Sequence, residues 1–458
     1  MARNVFISFL GTNNYLQTRY KWSDGTLSSP VRFIQEAILE KIAKDWTAED
    51  RIFVFYTEGE EGSYKLNWLN NGQTRFNEKD TKDQEIEKVG LEQRLNELNF
   101  NAKVEGVAIP EGFSEEDVWE IFNIVYGKLK ENDQIFFDIT HAFRSIPLFA
   151  STLFNFAQYM LGVEVVSVNY GAFEKLGPAY KVKDFPINER VAPIVDMTNI
   201  VRLQKLTETA TSITEFGRIK ALNNVIEKNK PNDEINEYIE NVSDAIGKLD
   251  ESIQTCRIND LKSGQFYGKF KCSFKKAKSG LSIPVKRLLD RVNVELNDFV
   301  TANDFKNVEA AIKWTRKHEM LSQAATLGQE YIISYVVDYA KKQGFENPYL
   351  KLSKEDKEKR RKDKKILYRD FIGSILGIKE EDIAEGNFKN DLEVYVDLRE
   401  RLFGLALVRE LRPDYDQLRE VRNSLNHGKG DKSYDELKSA FDDAYTKCLD
   451  VIHKYPLT

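Results

Sequence analysis

The chain has 458 residues, a formal net charge of -6, 41% hydrophobic and 31% charged residues. That length exceeds one hydrophobic core, the composition is that of a globular protein, and no apolar run approaches the roughly 20 residues that span a bilayer. The acidic balance excludes wholesale coating of a nucleic-acid backbone and leaves only a local site, while Cys256, Cys272 and Cys448 are too widely spaced for a zinc knuckle or a CxxC pair.

The first residues, "MARNVFISFLGTNN", read as a strand with no small-residue cleavage site after it. Together with the cysteine usage this points to a reducing, cytoplasmic setting, with no membrane partner. Five apolar runs follow one another up to about Phe185: "VFISFL", "RIFVFY", "KVEGVAI", "QIFFDIT" and "VEVVSVNY". They are apolar at nearly every position, as strands covered on both faces are, and they alternate with helical patterns, as in an α/β Rossmann-like fold with a parallel-type sheet.

The intervening helices carry start signals. Pro30 is placed just inside "SSPVRFIQEAILEKIAKDW", and Ser114 with Asp117 opens "SEEDVWEIFNIVYGKLK" as a cap. Val118, Ile121, Phe122, Val125 and Leu129 share one face of that second helix, which predicts packing on the sheet. The polar stretch from Glu58 to Asp83 reads as a long excursion without an assignable task.

In open parallel sheets ligands sit beyond the carboxyl ends of strands. After the first strand, Gly11 permits a tight turn and Thr12, Asn13 and Asn14 supply short hydrogen-bonding groups suited to phosphates or adenine edges. Neither GxGxxG nor GxxxxGK[ST] occurs, which disfavours nicotinamide and P-loop chemistry. After the fourth strand, "DITHAFRSIP" places Thr140, His141 and Arg144 ahead of a helix whose first turn holds Pro147, an arrangement suited to an anion. Asp138 and Ser145 there read as turn and cap residues. Asn169 and Tyr170 of "VNYGAF" add a third strand end.

The alternation stops after "DFPINERVAPIVDMTNI", and a boundary between Phe185 and Val201 separates an N-terminal domain, residues 1–190, from a mainly α-helical domain, residues 191–458. The basic-dominated run "KLSKEDKEKRRKDKK" at 351–365 reads as a solvated segment. Tyr415, Leu418, Val421 and Leu425 then recur at three- and four-residue steps after Pro413, and Gly428 supplies a C-terminal cap. His427 thus falls in the last helical turn, where the partial negative charge of the helix end favours an imidazolium. His318 and His453 have no partner pattern and read as surface or packing residues.

Arg422 lies about 7.5 Å back along the axis from His427 and is rotated from it by about 140°. One helix does not aim both at one atom, but two copies meeting across a two-fold axis would gather two arginines and two histidines. Such a cluster suits RNA cleavage without metal or cofactor: histidine moves protons at the 2'-hydroxyl or leaving oxygen, arginine holds the phosphate, and a 2',3'-cyclic phosphate results. By itself RxxxxH is a weak motif, equally met by a surface arginine and a capping histidine.

Together "FISFLGTNNY", "DITHAFRSIP", "VNYGAFE" and "RNSLNHG" resemble, in sequence and order, the ancillary ribonucleases of type III CRISPR systems, which join a CARF sensor domain to a HEPN nuclease domain. The resemblance implies that Gly11, Thr12, Asn13, Asn14, Thr140, His141 and Arg144, with Asn169 and Tyr170 beside them, bind a cyclic oligoadenylate across a dimer axis, tetra-adenylate ahead of hexa-adenylate. It also implies that Arg422 and His427 are catalytic, with Asn423 the polar residue beside the arginine. The expected protein is a homodimer or higher oligomer, an activator-gated, metal-independent endonuclease of single-stranded RNA in antiviral defence. The alternative is a nucleotide sensor whose helical half only binds a partner.

Overall fold

The computed structural model describes residues 2–69, 89–141, 146–217, 233–277, 283–345, 355, 368–389, 391–427 and 432–457. Two compact units divide the chain, Met1–Arg202 and Leu203–Thr458. No helix among the described residues is long and apolar enough to cross a membrane.

The first unit is built on seven strands: β1 (Asn4–Phe9), β2 (Arg19–Lys21), β3 (Arg51–Thr57), β4 (Lys103–Ile109), β5 (Gln134–Asp138), β6 (Glu164–Gly171) and β7 (Val191–Asp196). They form one sheet in the order β2-β7-β6-β5-β1-β3-β4. All neighbours run parallel except the antiparallel pair β6 and β7. The five apolar runs are five of these strands, and the reason is visible in their burial. Val5, Ile7 and Phe9 enter one core with Phe53, Phe55 and Phe137, while Phe6 enters a second core on the opposite face with Ile52 and Val54.

Helices cover both faces. Ile34, Ala37 and Ile38 of α1 (Ile34–Ile42) and Leu91 and Leu95 of α2 (Leu91–Glu97) lie in one core. Ile121 and Val125 of α3 (Glu115–Gly127) and Leu153, Phe154 and Ala157 of α4 (Ile146–Leu161) lie in the other. Ser114 caps α3 as its sequence predicts, accepting the Asp117 amide at 3.0 Å, and the predicted stripe is buried at Ile121, Val125 and Leu129. Pro30 does not open α1. Thr18 and Val31 exchange backbone bonds of 2.9 and 3.0 Å, which hold the chain extended, and the helix begins only at Ile34, where Glu36 accepts the Phe33 amide.

Two strands fall outside the predicted runs. β2 is three residues long, and β7 lies in the stretch assigned to the domain boundary, so the first unit extends beyond residue 190 to take it in.

After the short α5 (Ala179–Val182), the remaining helices begin with α6 (Thr198–Phe216), α7 (Asp233–Gln254), α8 (Ile258–Ser263), α9 (Gln265–Ala277) and α10 (Ile283–Glu295). They continue with α11 (Lys306–Lys317), α12 (Leu321–Lys342), α13 (Tyr368–Gly377), α14 (Glu380–Ala384), α15 (Asp391–Val394), α16 (Val396–Phe403), α17 (Ala406–Asn426) and α18 (Tyr434–Lys454). The second unit shares one core, to which α12 contributes Leu327, Tyr331 and Val336, α17 Leu411, Tyr415 and Leu418, and α18 Phe441, Ala444 and Cys448. α18 opens with a reciprocal cap: Ser433 accepts the Glu436 amide at 3.3 Å and gives its own amide to the Glu436 carboxylate at 2.7 Å. Except for residue 355, the charge run at 351–365 lies outside the described residues.

Candidate functional site

The strand order places a switch point in the first unit. From β1 the chain builds β3 and β4 on one side and then returns to add β5 and β6 on the other. Connections from β1 and β5 therefore leave in opposite directions, the arrangement that in open α/β sheets places ligands beyond the carboxyl ends of those two strands. The loop after β1 begins at Gly11 and the loop after β5 holds His141. A side-chain carbon on Gly11 would stand 3.5 Å from the His141 carbonyl oxygen, so the two predicted loops meet there.

A buried polar chain fixes those strand ends. Ser8 and Asp138 are register partners across β1 and β5, and the Ser8 hydroxyl donates to Asp138 Oδ2 at 2.8 Å while accepting from Gln35 Nε2 at 2.9 Å. Asp138 Oδ1 accepts the Thr140 amide at 3.0 Å and its hydroxyl at 2.6 Å, and the same hydroxyl accepts the Gly171 amide at 2.8 Å. Burial raises the Asp138 carboxyl above its usual range, although Thr140 and Ser8 hydrogen bonds oppose the shift. Thr140 is thus engaged in holding β5 to β6. Gly171 has no room for a side chain, because its β-carbon would fall 1.9 Å from Ile34 Cδ1.

Against this frame the Tyr15 and His141 rings pack on each other, tilted by 36° with centroids 4.1 Å apart. Tyr15 Oη and His141 Nε2 are both sealed from solvent, and neither has a hydrogen-bond partner among the described residues. The Tyr15 hydroxyl lies beside the Gly11 backbone without meeting hydrogen-bond geometry. Burial pushes the His141 imidazole down to about 3, so it is neutral. An unmet buried polar atom costs about 1–3 kcal/mol, and this pair carries two.

The sequence reading missed Asn67. It sits in the π-helical turn Tyr64–Trp68, within the excursion left without a task, and its Nδ2 donates to the carbonyls of Gly11 at 2.8 Å and Asn13 at 2.9 Å. Arg32 in turn donates to Asn67 Oδ1 at 2.9 Å. These residues fix the carbonyl side of the loop, which leaves the exposed Thr12 and Asn13 side chains on its outer surface. No local pattern marks Asn67, since its role exists only once the excursion folds back on β1. Of the other predicted residues, Asn169 is buried with its amide 3.3 Å from Ser167 Oγ, and the Tyr170 hydroxyl is bonded to Glu174. Arg144 lies outside the described residues.

In the second unit α17 carries the other predicted residues. The helix starts at Ala406, so Pro413 lies inside it and does not precede it. Tyr415, Leu418 and Val421 are buried on the core side, and Leu425 is partly buried, as the periodicity predicts. Arg422 is half-buried and donates from Nη1 to Asn423 Oδ1 at 3.2 Å, while its Nε is sealed and has no partner among the described residues. His427 caps the helix: its backbone amide donates to the Asn423 carbonyl at 2.9 Å, and its side chain is exposed. Asn423 therefore links the two through its side chain and its backbone. Gly428 lies outside the described residues. His318 is a packing residue, buried on Trp314 with Nδ1 3.2 Å from the Glu215 carbonyl, and His453 is exposed.

No family model matches the chain. CRISPR-associated protein MJ1674 of Methanocaldococcus jannaschii is 26% identical over 321 residues, a match that covers 62% of this chain and 46% of that protein. The chain thus spans about half the length of this curated relative. Its name agrees with the family that the four motifs resemble. A solved structure, Enterococcus italicus Csm6 bound to cyclic hexa-2'-fluoro-hexa-dAMP, aligns over 100% of this chain and 96% of that one at 12% identity and a TM-score of 0.45, too loose a likeness to carry an argument.

Proposed function

We propose that this chain, related over part of its length to a CRISPR-associated protein, is a CARF–HEPN endonuclease of single-stranded RNA that a cyclic oligoadenylate activates in type III CRISPR defence. The observation that carries the reading is the joining of two sites in one chain: a sheet switch point with two unmet buried polar groups, and a helix end bearing Arg422, Asn423 and His427. At this switch point Gly11 allows close approach, Thr12, Asn13 and Asn14 offer short polar groups, and neutral His141 offers its imidazole nitrogen to an adenine edge or ribose hydroxyl once a ligand parts it from Tyr15. Arg144, Asn169 and Tyr170 complete the expected set, Arg144 opposing a phosphate.

At the helix end, His427 is the proton carrier at the 2'-hydroxyl or the leaving oxygen. Arg422, its guanidinium oriented by Asn423, holds the phosphate and the charge that develops on it. Because the two side chains leave α17 in different directions, a homodimer supplies the complete set from two helices. A two-fold cyclic ligand matches a two-fold sensor, and its binding shifts the nuclease halves toward the competent arrangement. These residues perform the proton transfer and charge stabilisation without a metal ion.

The test is direct. Purified protein is mixed with end-labelled single-stranded RNA and chelator, with and without cyclic tetra- or hexa-adenylate. We expect cleavage that depends on the activator, leaves 2',3'-cyclic phosphate ends and disappears in His427→Ala. Absence of cleavage with either ring, or cleavage that survives His427→Ala, overturns the assignment.

A further inference from the structure

A second polar cleft lies in the helical unit. It holds about 370 Å³ between Cys256 of the turn joining α7 to α8, Asn259 and Asp260 at the start of α8, and the facing residues Glu330 of α12 and Arg369 of α13. The turn is set by Cys256 at a left-handed φ of 52°. Arg369 is fixed by two bonds, one to Glu330 and one of 2.6 Å to Ser334 Oγ, whose own hydroxyl donates to the Glu330 carbonyl at 2.6 Å. This pair is open to solvent, with side-chain exposures of 39% for Arg369 and 35% for Glu330.

The cleft adjoins the predicted catalytic helix. Gln329, next to Glu330, donates to the Tyr415 hydroxyl at 3.2 Å. Tyr415 and Arg422 are seven residues apart, so they lie within about 20° on one face of α17, roughly 10.5 Å from each other along it. The Cys256 thiol is raised to about 11 by burial, with Glu330 adding to the shift and Arg422 opposing it, so the Arg422 charge reaches a wall of the cleft.

We propose that this cleft is the base-selecting subsite of the nuclease, and that it takes guanine. The proposal rests on the ribonuclease reading above. Glu330 Oε2 receives Arg369, while Oε1 has no hydrogen bond among the described residues, and the Asn259 amide is likewise without one. A carboxylate held in place by a guanidinium selects for two adjacent N-H donors. Guanine offers N1-H and the 2-amino group side by side, with O6 available to the Asn259 amide. Adenine sets its unprotonated N1 against the same carboxylate, cytosine sets N3 there, and uracil has one N-H between two carbonyls. The volume accommodates one base.

The experiment has two arms. The first maps cleavage of RNAs that differ at single guanines, including substrates with inosine, which lacks the 2-amino group, in place of guanosine. The second measures binding of 5'-GMP, 5'-IMP and 5'-AMP to the full chain by saturation-transfer NMR. We expect cleavage next to guanosine, a preference reduced about tenfold or more by inosine or by Glu330→Gln, and GMP bound in preference to IMP and AMP. Equal binding of the three nucleotides, no binding of any, or a cleavage pattern unmoved by inosine and by Glu330→Gln overturns the proposal. Selective GMP binding without any RNA cleavage supports the subsite and counts against the ribonuclease reading instead.

Discussion

Gly11 and Tyr15 make a pair whose coupling is measurable. An alanine at residue 11 would put its β-carbon 2.5 Å from the Tyr15 hydroxyl oxygen, while the next contacts, 3.5 and 3.7 Å to His141, are ordinary. Overpacking of this kind costs about 1–3 kcal/mol. Gly11→Ala should therefore lower stability by that amount in the wild type and by much less in a Tyr15→Phe background, where the clashing atom is gone. Denaturant melts of the four proteins read the coupling, and strictly additive losses would show that the clash is not what the glycine avoids.

His141 gives a pH dependence with a definite sign. Its folded value of about 3 lies below its ordinary 6.5, so between those limits the unfolded chain binds the proton and the folded one does not. The stability this residue contributes is complete above about 6.5 and is lost as pH falls toward 3, with a slope of at most about 1.4 kcal/mol per pH unit. Asp138, raised by burial, acts in the opposite sense, so the difference between wild type and His141→Gln isolates the histidine. Parallel stability curves for the two proteins from pH 7 to pH 4 would remove the basis for a sealed neutral imidazole. At this scale the sequence marked Gly11 and His141 because both directly follow strands, whereas Asn67 depends on contacts to carbonyls more than fifty residues away.

At the scale of elements, legibility followed burial. Five strands could be read because helices cover the sheet on both faces, which demands apolar side chains at consecutive positions. β7 lacks that signal, since Pro193 interrupts it and Val195 is exposed. Its backbone pairing with β2 is reinforced by Arg190, buried just before it, whose guanidinium donates to the carbonyls of Phe185, Gln17 and Lys183. A contact spanning 173 positions, as from Arg190 to Gln17, leaves no trace in a local window. The helix that carries Arg422 and His427 shows the same rule working the other way. A proline inside a helix costs about 3 kcal/mol and reads as a start signal, yet α17 continues through Pro413 because Leu407, Val408 and Leu411 before it are fully buried in the core.

For the molecule as a whole, the decisive question is whether one chain can perform the reaction. Arg422 and His427 diverge by about 140° around α17, and among the described residues the Arg422 side chain bonds to Asn423 at 3.2 Å and not to His427. On the proposed reading, a reaction that needs both groups at one phosphate would draw them from two copies. Co-expression of wild-type chains with an equal amount of the Arg422→Ala/His427→Ala double variant, followed by purification of the mixed population, turns this into a number. If only fully wild-type dimers cleave, random pairing leaves about one quarter of the activity. If each protomer acts alone, about one half remains, because the inactive partner is then only a diluent. We expect the lower figure at saturating activator, with the fraction active falling as the square of the wild-type share. A linear dependence on that share would place a complete nuclease site within a single chain.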